Sequence, residues 1–215
     1  VPISAGRHIY KRESSFPIAV ACDPAFNFVY EANIRYLHHL GEVTYFSPLA
    51  DTSLPDAGFV YLPGGYPELY LAALSANRQM LQSIRRYVES GGKLLAECGG
   101  MMYLCDEIRD KNGDVYPMAG VLHQSATMEN MKLRLGYRTL LYNETRLKGH
   151  EFHYSRLVEQ QNPLPSCAVA YTAKGVETDT PLYHYKNVWA GYTHLYWADP
   201  VGNEWFTKFV IDGNT

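Results

Sequence analysis

The chain has 215 residues, 47% hydrophobic and 19% charged, enough apolar material for one sizeable core. Nineteen lysines and arginines against 22 aspartates and glutamates leave a formal charge of -3, so there is no basic field to hold nucleic acid or an anionic membrane. No apolar run reaches the ~18 residues of a membrane span, and Cys22, Cys98, Cys105 and Cys167 with no apolar leader fit a reducing compartment; a cytoplasmic protein acting on small molecules is expected.

Residues 1–17 (VPISAGRHIYKRESSFP) lack periodicity and read as a linker from a preceding domain, leaving 18–215 as one domain. Ile18–Cys22 is a short buried-strand run, and Tyr30–His39 is predicted helical, with Ile34, Leu37 and Leu40 on one stripe and Gly41 as its C-terminal stop. Val43–Phe46 and Phe59–Leu62 are the next two strands. Between Asn77 and Ser90, Met80, Leu81, Ile84 and Val88 recur at helical steps; Gly91-Gly92 then ends the helix and Lys93–Ala96 resumes a strand. Buried strands alternating with amphipathic helices predict an α/β fold, a mostly parallel sheet with helices on both faces. After about Leu104 a DKNGD turn and the short aromatic, β-branched runs Thr139–Tyr142 and Val188–Thr193 predict added antiparallel strands. Asp199 and Pro200 are placed as N-cap and first residue of a closing helix.

The strongest chemical signal is Leu94-Leu95-Ala96-Glu97-Cys98-Gly99-Gly100, a strand running into a cysteine, two glycines and a helix-prone MMYL. At such a turn the backbone is strained and the sulfur stands at the carboxyl edge of the sheet. Cys98 is therefore expected to be a nucleophile, its pKa lowered by the following helix, with the N–H of Gly99 aimed at an oxyanion. Pro63-Gly64-Gly65-Tyr66-Pro67-Glu68 follows another strand; Gly64 and Gly65 let backbone amides approach a substrate, and Glu68 is expected to head the next helix. Of eight histidines, His194 is the best candidate base, because it closes the late strand GYTHLYW. Gly149-His150-Glu151-Phe152-His153-Tyr154-Ser155 crowds two histidines and a carboxylate, but in a strand Glu151 and His153 share one face and His150 lies on the other, so no metal site is expected.

Taken in order, ACDPAFNFVY, YFSPLAD, YLPGGYPE, AECGGMMYL, RLGYR, GHEFHYS and GYTHLYW resemble the glutaminase domain of the cobyrinic acid a,c-diamide synthase family, which has the class I glutamine amidotransferase (flavodoxin-like) fold. The resemblance runs from about Ile18 to Gly213, and GHEFHYS with AECGG favours the a,c-diamide branch over cobyric acid synthase. It implies that Cys98 attacks the side-chain amide of glutamine, that His194 is general base and then acid, and that Gly64, Gly65 and Gly99 stabilise the oxyanion. Many relatives of this fold carry a glutamate two residues after the histidine; here that position is Tyr196, so a third member comes from elsewhere, with Glu151 and Asp199 as the candidates. Arg134 is the candidate for the carboxylate of glutamine, and His150, Glu151 and His153 for an interface or an ammonia route.

The implied reaction passes ammonia to a corrin carboxylate activated by ATP. No G-x-x-x-x-G-K-[ST] phosphate loop occurs in the 215 residues, so ATP, Mg and the corrin precursor are expected on an N-terminal synthetase domain, and no cofactor on this stretch. A homodimer is left open, as are cobalt-containing, metal-free and nickel tetrapyrrole acceptors. The competing readings are a non-catalytic glutaminase-like scaffold and a stand-alone cysteine hydrolase of the same fold.

Overall fold

A computed structural model describes residues 15–212. Most of the linker assigned to 1–17, and the last three residues of the domain assigned to 18–215, lie outside the described residues; within them the first strand opens at Pro17.

The first half runs β1 (Pro17–Ala21), α1 (Glu31–Leu40), β2 (Glu42–Phe46), β3 (Phe59–Leu62), α2 (Leu71–Ala76), α3 (Arg78–Glu89), β4 (Lys93–Glu97) and α4 (Gly99–Leu104). The second half adds β5 (Glu107–Arg109), β6 (Val115–Pro117), β7 (Ser125–Thr127), β8 (Arg134–Tyr142), β9 (Thr145–His153), β10 (Arg156–Leu157), β11 (Val169–Thr172), β12 (Glu177–Thr178), β13 (Leu182–Tyr185), β14 (Val188–Gly191), β15 (Thr193–Leu195) and α5 (Pro200–Thr207).

The central sheet has the order β13-β14-β4-β3-β1-β2, parallel except for the edge strand β13. Strand alternation divides its side chains between two cores. Ala19, Ala21, Val60, Leu62, Leu94 and Ala96 pack under α2, α3 and α4, whereas Ile18, Val20, Phe59, Tyr61 and Leu95 face α1 and α5. The stripe on α3 (Met80, Leu81, Ile84, Val88) is buried, worth roughly 1.5–3 kcal/mol per side chain against leaving it in water. Asn77 caps that helix by accepting from the Met80 N–H at 3.3 Å. Asp199 caps α5 from the Gly202 N–H at 2.7 Å, with Pro200 at the first position as predicted.

Gly41 ends α1 for a different reason from the one expected. Its φ of -171° is extended rather than left-handed, and a Cβ there would lie 2.1 Å from the Phe16 carbonyl oxygen, so the glycine admits a neighbouring backbone. Glu68 does not head a full helix either; it sits in the 3-10 turn Pro67–Leu69 that precedes α2. The run Val188–Thr193 is split at Tyr192: β14 pairs in parallel with β4, and β15 crosses into a second sheet, order β12-β11-β8-β9-β15, which is antiparallel throughout. A small four-stranded sheet, β10-β7-β5-β6, was not visible in the short runs that form it. The crossover at Tyr192 matters for chemistry, because it carries residue 194 over the carboxyl end of β4.

Candidate active site

Cys98 occupies the step from β4 into α4 with φ 49° and ψ -106°, a left-handed conformation that a side-chain-bearing residue adopts at a cost of about 1–3 kcal/mol. Its neighbours must be small. A Cβ on Gly100 would lie 2.1 Å from the Leu62 carbonyl oxygen, and one on Gly99 would meet the Pro67 ring at 2.7 Å and the Gly65 backbone nitrogen at 3.2 Å. The elbow and the Gly64-Gly65 loop therefore pack closely, with the Gly65 nitrogen against Gly99, whose own N–H bears on the sulfur. The loop is tied in turn to the segment after β1: the Phe28 N–H donates to the Gly64 carbonyl at 3.0 Å, and the Tyr66 N–H to the Ala25 carbonyl at 3.0 Å.

The thiol is only 5% exposed and donates to the Phe152 carbonyl at 3.7 Å. Burial pushes its pKa up to about 12, and the carboxylates of Glu68, Glu97 and Glu151 push the same way, against the Gly99 N–H. The thiol lowered by a helix start, as expected from sequence, is not found, because α4 is only six residues long and burial outweighs its dipole. The cleft is lined by Tyr66, Glu68, Phe152, His153 and Tyr154 among others, and its free volume is about 20 Å³, space for about one water.

His194 is 3% exposed at the middle of β15. Its ring packs on Phe28 with centroids 4.3 Å apart, and a Cβ on Gly64 would lie 2.1 Å from its Cε1, so Gly64 makes room for the imidazole. Nδ1 of His194 is buried without a hydrogen-bond partner, and Oε2 of Glu97 stands 4.0 Å from it. Glu97 is held firmly: the Tyr61 hydroxyl donates to Oε2 at 2.6 Å and the Leu195 N–H to Oε1 at 3.0 Å. Burial pushes Glu97 up to about 8 and holds His194 down to about 3, the latter with help from His150 and His153. At neutral pH the pair rests as a largely protonated acid beside a neutral imidazole, the form of histidine that can accept a proton.

The nucleophile elbow and its facing glycine loop stand at the edge of the parallel sheet, and the histidine beside Glu97 reaches them from the antiparallel sheet. The model of the CobB/CobQ-like glutamine amidotransferase domain matches residues 17–201. The chain belongs to that family. It is 40% identical over 185 residues to a hydrogenobyrinate a,c-diamide synthase of Pseudomonas aeruginosa, covering 83% of this chain and 41% of that protein. It is 38% identical over 210 residues to a cobyrinate a,c-diamide synthase of Clostridium acetobutylicum, covering 93% and 46%. The chain thus spans less than half the length of these relatives. Among solved structures, PurLQS from Thermotoga maritima superposes with a TM-score of 0.58 at 16% identity, covering 93% of this chain and 97% of that one, and a crystal structure of a glutamine amidotransferase does so with 0.58 at 16%, covering 90% and 98%. The fold predicted from sequence is thereby the fold of this amidotransferase domain.

Other candidates fall elsewhere. Glu151 and His153 share one buried face of β9, as alternation requires, and bond to each other at 2.7 Å, while Glu151 also accepts from Arg138 at 2.5 Å and Thr180 at 2.9 Å. Glu151 is thus committed to His153 and does not orient His194; Asp199 caps α5 and pairs with Lys148. Of the two third-member candidates neither is placed for the task, and Glu97 is. His150 lies across from His194 in the β9–β15 register. Arg134 does not line the Cys98 cleft: both its guanidinium nitrogens are on Asp179, in a neighbouring cavity of about 360 Å³ that also holds Glu151 and His153. His153 is the side chain common to both cavities, stacked on Tyr192 at 3.7 Å. Among the described residues, no group of three or more histidines, cysteines, aspartates and glutamates could hold a metal, and no helix is long and apolar enough to cross a membrane.

Proposed function

We propose that this chain is the glutamine-hydrolysing part of a cobyrinate or hydrogenobyrinate a,c-diamide synthase. The observation that carries the reading is Cys98 at a strained strand-to-helix elbow, walled by the Gly64-Gly65 loop, with a neutral His194 and its Glu97 carboxyl over the same sheet edge.

In this reading the Cys98 sulfur gives its proton to His194 and attacks the δ-carboxamide carbon of glutamine. The amides of Gly65 and Gly99 take the oxyanion, worth about 3–4 kcal/mol per donor in comparable sites. His194 then protonates the departing ammonia, leaving a γ-glutamyl thioester, and activates the water that releases glutamate. A cationic His194 lowers the pKa of Glu97, 4.0 Å away, so that Glu97 releases its proton to solvent and becomes the counter-charge. Ammonia leaves past His153, the wall shared by the two cavities, with His150 and Glu151 on the same strand. Its acceptor is a corrin carboxylate activated with ATP and Mg, functions assigned to a synthetase domain like the part of the relatives this chain does not span.

Ammonia release from glutamine, measured for this chain alone and for a full-length synthase carrying it, tests the reading. Wild type should release ammonia, at least in the full-length enzyme, and Cys98→Ala should release none; equal release from Cys98→Ala contradicts it. Replacing His153 with alanine in the full-length enzyme should leave hydrolysis intact and uncouple it from corrin amidation. Loss of hydrolysis itself would place His153 in the chemistry instead of the route.

A further inference from the structure

Glu68 lines the Cys98 cleft, and no lysine or arginine lines it with Glu68. The 3-10 turn Pro67–Leu69 carries it, braced by the Tyr70 N–H on the Pro67 carbonyl at 2.9 Å, so its place is fixed by the same loop that supplies Gly65. It is half-buried, and among the described residues it has no ion-pair partner. His153 reaches the cleft too but offers Glu68 nothing: Nε2 is on Glu151 and Nδ1 on the Ser155 carbonyl at 2.8 Å. The ionisable groups that bear on the sulfur, Glu68, Glu97 and Glu151 from three different elements, are all carboxyl groups, and Glu97 among them rests largely protonated. A lone carboxylate facing a nucleophile that must ionise is costly unless a cation arrives with the substrate.

We infer that Glu68 receives the α-ammonium group of the substrate, so that the cleft selects an α-amino acid amide over a plain amide of the same length. This rests on the glutaminase reading above and narrows it to one recognition contact. It also gives the cleft a substrate-dependent nucleophile. Neutralising Glu68 on binding removes an opposing charge from Cys98, so ionisation is favoured only when the correct substrate is seated. The thiol stays protected otherwise.

The test compares L-glutamine with glutaramate, which has the same terminal amide and no amino group, in wild type, Glu68→Gln and Glu68→Asp of the full-length synthase, with ammonia release as the readout. Wild type should prefer glutamine in kcat/KM by about 10- to 100-fold, the range expected for one charge-assisted contact. Glu68→Gln should bring the two substrates together by losing glutamine, and Glu68→Asp should restore part of the preference. Alkylation of Cys98 by iodoacetamide at neutral pH should be faster in Glu68→Gln, which also shows that the cleft is intact. An undiminished preference for glutamine in Glu68→Gln with normal alkylation overturns the inference and leaves the glutaminase reading standing. A wild-type enzyme that hydrolyses neither amide removes both.

Discussion

Glu97 and His194 stand 4.0 Å apart, Oε2 to Nδ1, although one ends the central parallel sheet and the other belongs to the antiparallel sheet beside it. In the proposed mechanism the residue before the nucleophile takes the place that Tyr196 leaves empty two residues after the histidine. Glu97→Gln keeps the size and the Tyr61 bond but cannot become a counter-charge. It should lower kcat for glutamine hydrolysis about 10- to 100-fold with little change in KM, while Tyr61→Phe, which removes only the 2.6 Å bond to Glu97, should cost less. Unchanged kcat in Glu97→Gln would reduce Glu97 to a packing role.

The same pair makes stability depend on pH with a definite sign. Glu97 rises from 4.5 to about 8 on folding, so the native state binds more protons than the unfolded state between those values. The Glu97 contribution to stability should fall as pH rises through that window, on the order of 5 kcal/mol in all. His194 drops from 6.5 to about 3, so the unfolded state binds more protons there and stability should fall as pH drops from 6.5 toward 3. Between pH 4.5 and 6.5 the two slopes oppose each other, so urea unfolding from pH 4 to 9 should show a plateau there and a fall above it, and Glu97→Gln should abolish that fall.

The Cys98 thiol, pushed up to about 12 by burial, should react with iodoacetamide at a rate that keeps climbing through pH 9. Mass-resolved alkylation across pH checks this. A plateau near pH 7 would mean that the thiolate is already formed without substrate.

Alanine at residue 64 places a methyl 2.1 Å from Cε1 of His194. Gly64→Ala should displace the imidazole and reduce hydrolysis by 100-fold or more, with an overpacking cost of about 1–3 kcal/mol seen as a lower melting temperature. Arg134→Ala, by contrast, removes a pair with Asp179 outside the cleft and should change KM for glutamine less than about twofold. A tenfold rise in KM would return Arg134 to substrate binding.

The parallel core was legible because its inner strands β1, β3 and β4 carry apolar runs and α3 a clean stripe, so burial on both faces leaves a one-dimensional trace. Cys98 and the glycine loops were legible because strained turns demand particular small residues at adjacent positions. The long hairpin β8–β9 was legible only in pieces, at Thr139–Tyr142 and in the strand alternation of Glu151 and His153, since one of its faces is wet and its apolar pattern is interrupted by Gly136 and Gly149. Glu97 was missed for want of a three-dimensional partner, yet a signal existed: alternation puts it on the face of Leu95, toward Tyr61, and a carboxylate at an inward position of a buried strand requires a donor. Arg134 was misplaced because sequence shows a guanidinium but not Asp179, 45 residues later, that occupies it.

The most direct test is intact-mass spectrometry after incubation with 6-diazo-5-oxo-norleucine, which alkylates the nucleophile of a glutamine-shaped site, with Cys98→Ala as control. Because the cleft has only about 20 Å³ free, labelling should be slow in this chain alone and faster in the full-length synthase, giving a single adduct that Cys98→Ala abolishes. No adduct in either form, or an adduct that survives Cys98→Ala, would contradict a glutaminase centred on Cys98.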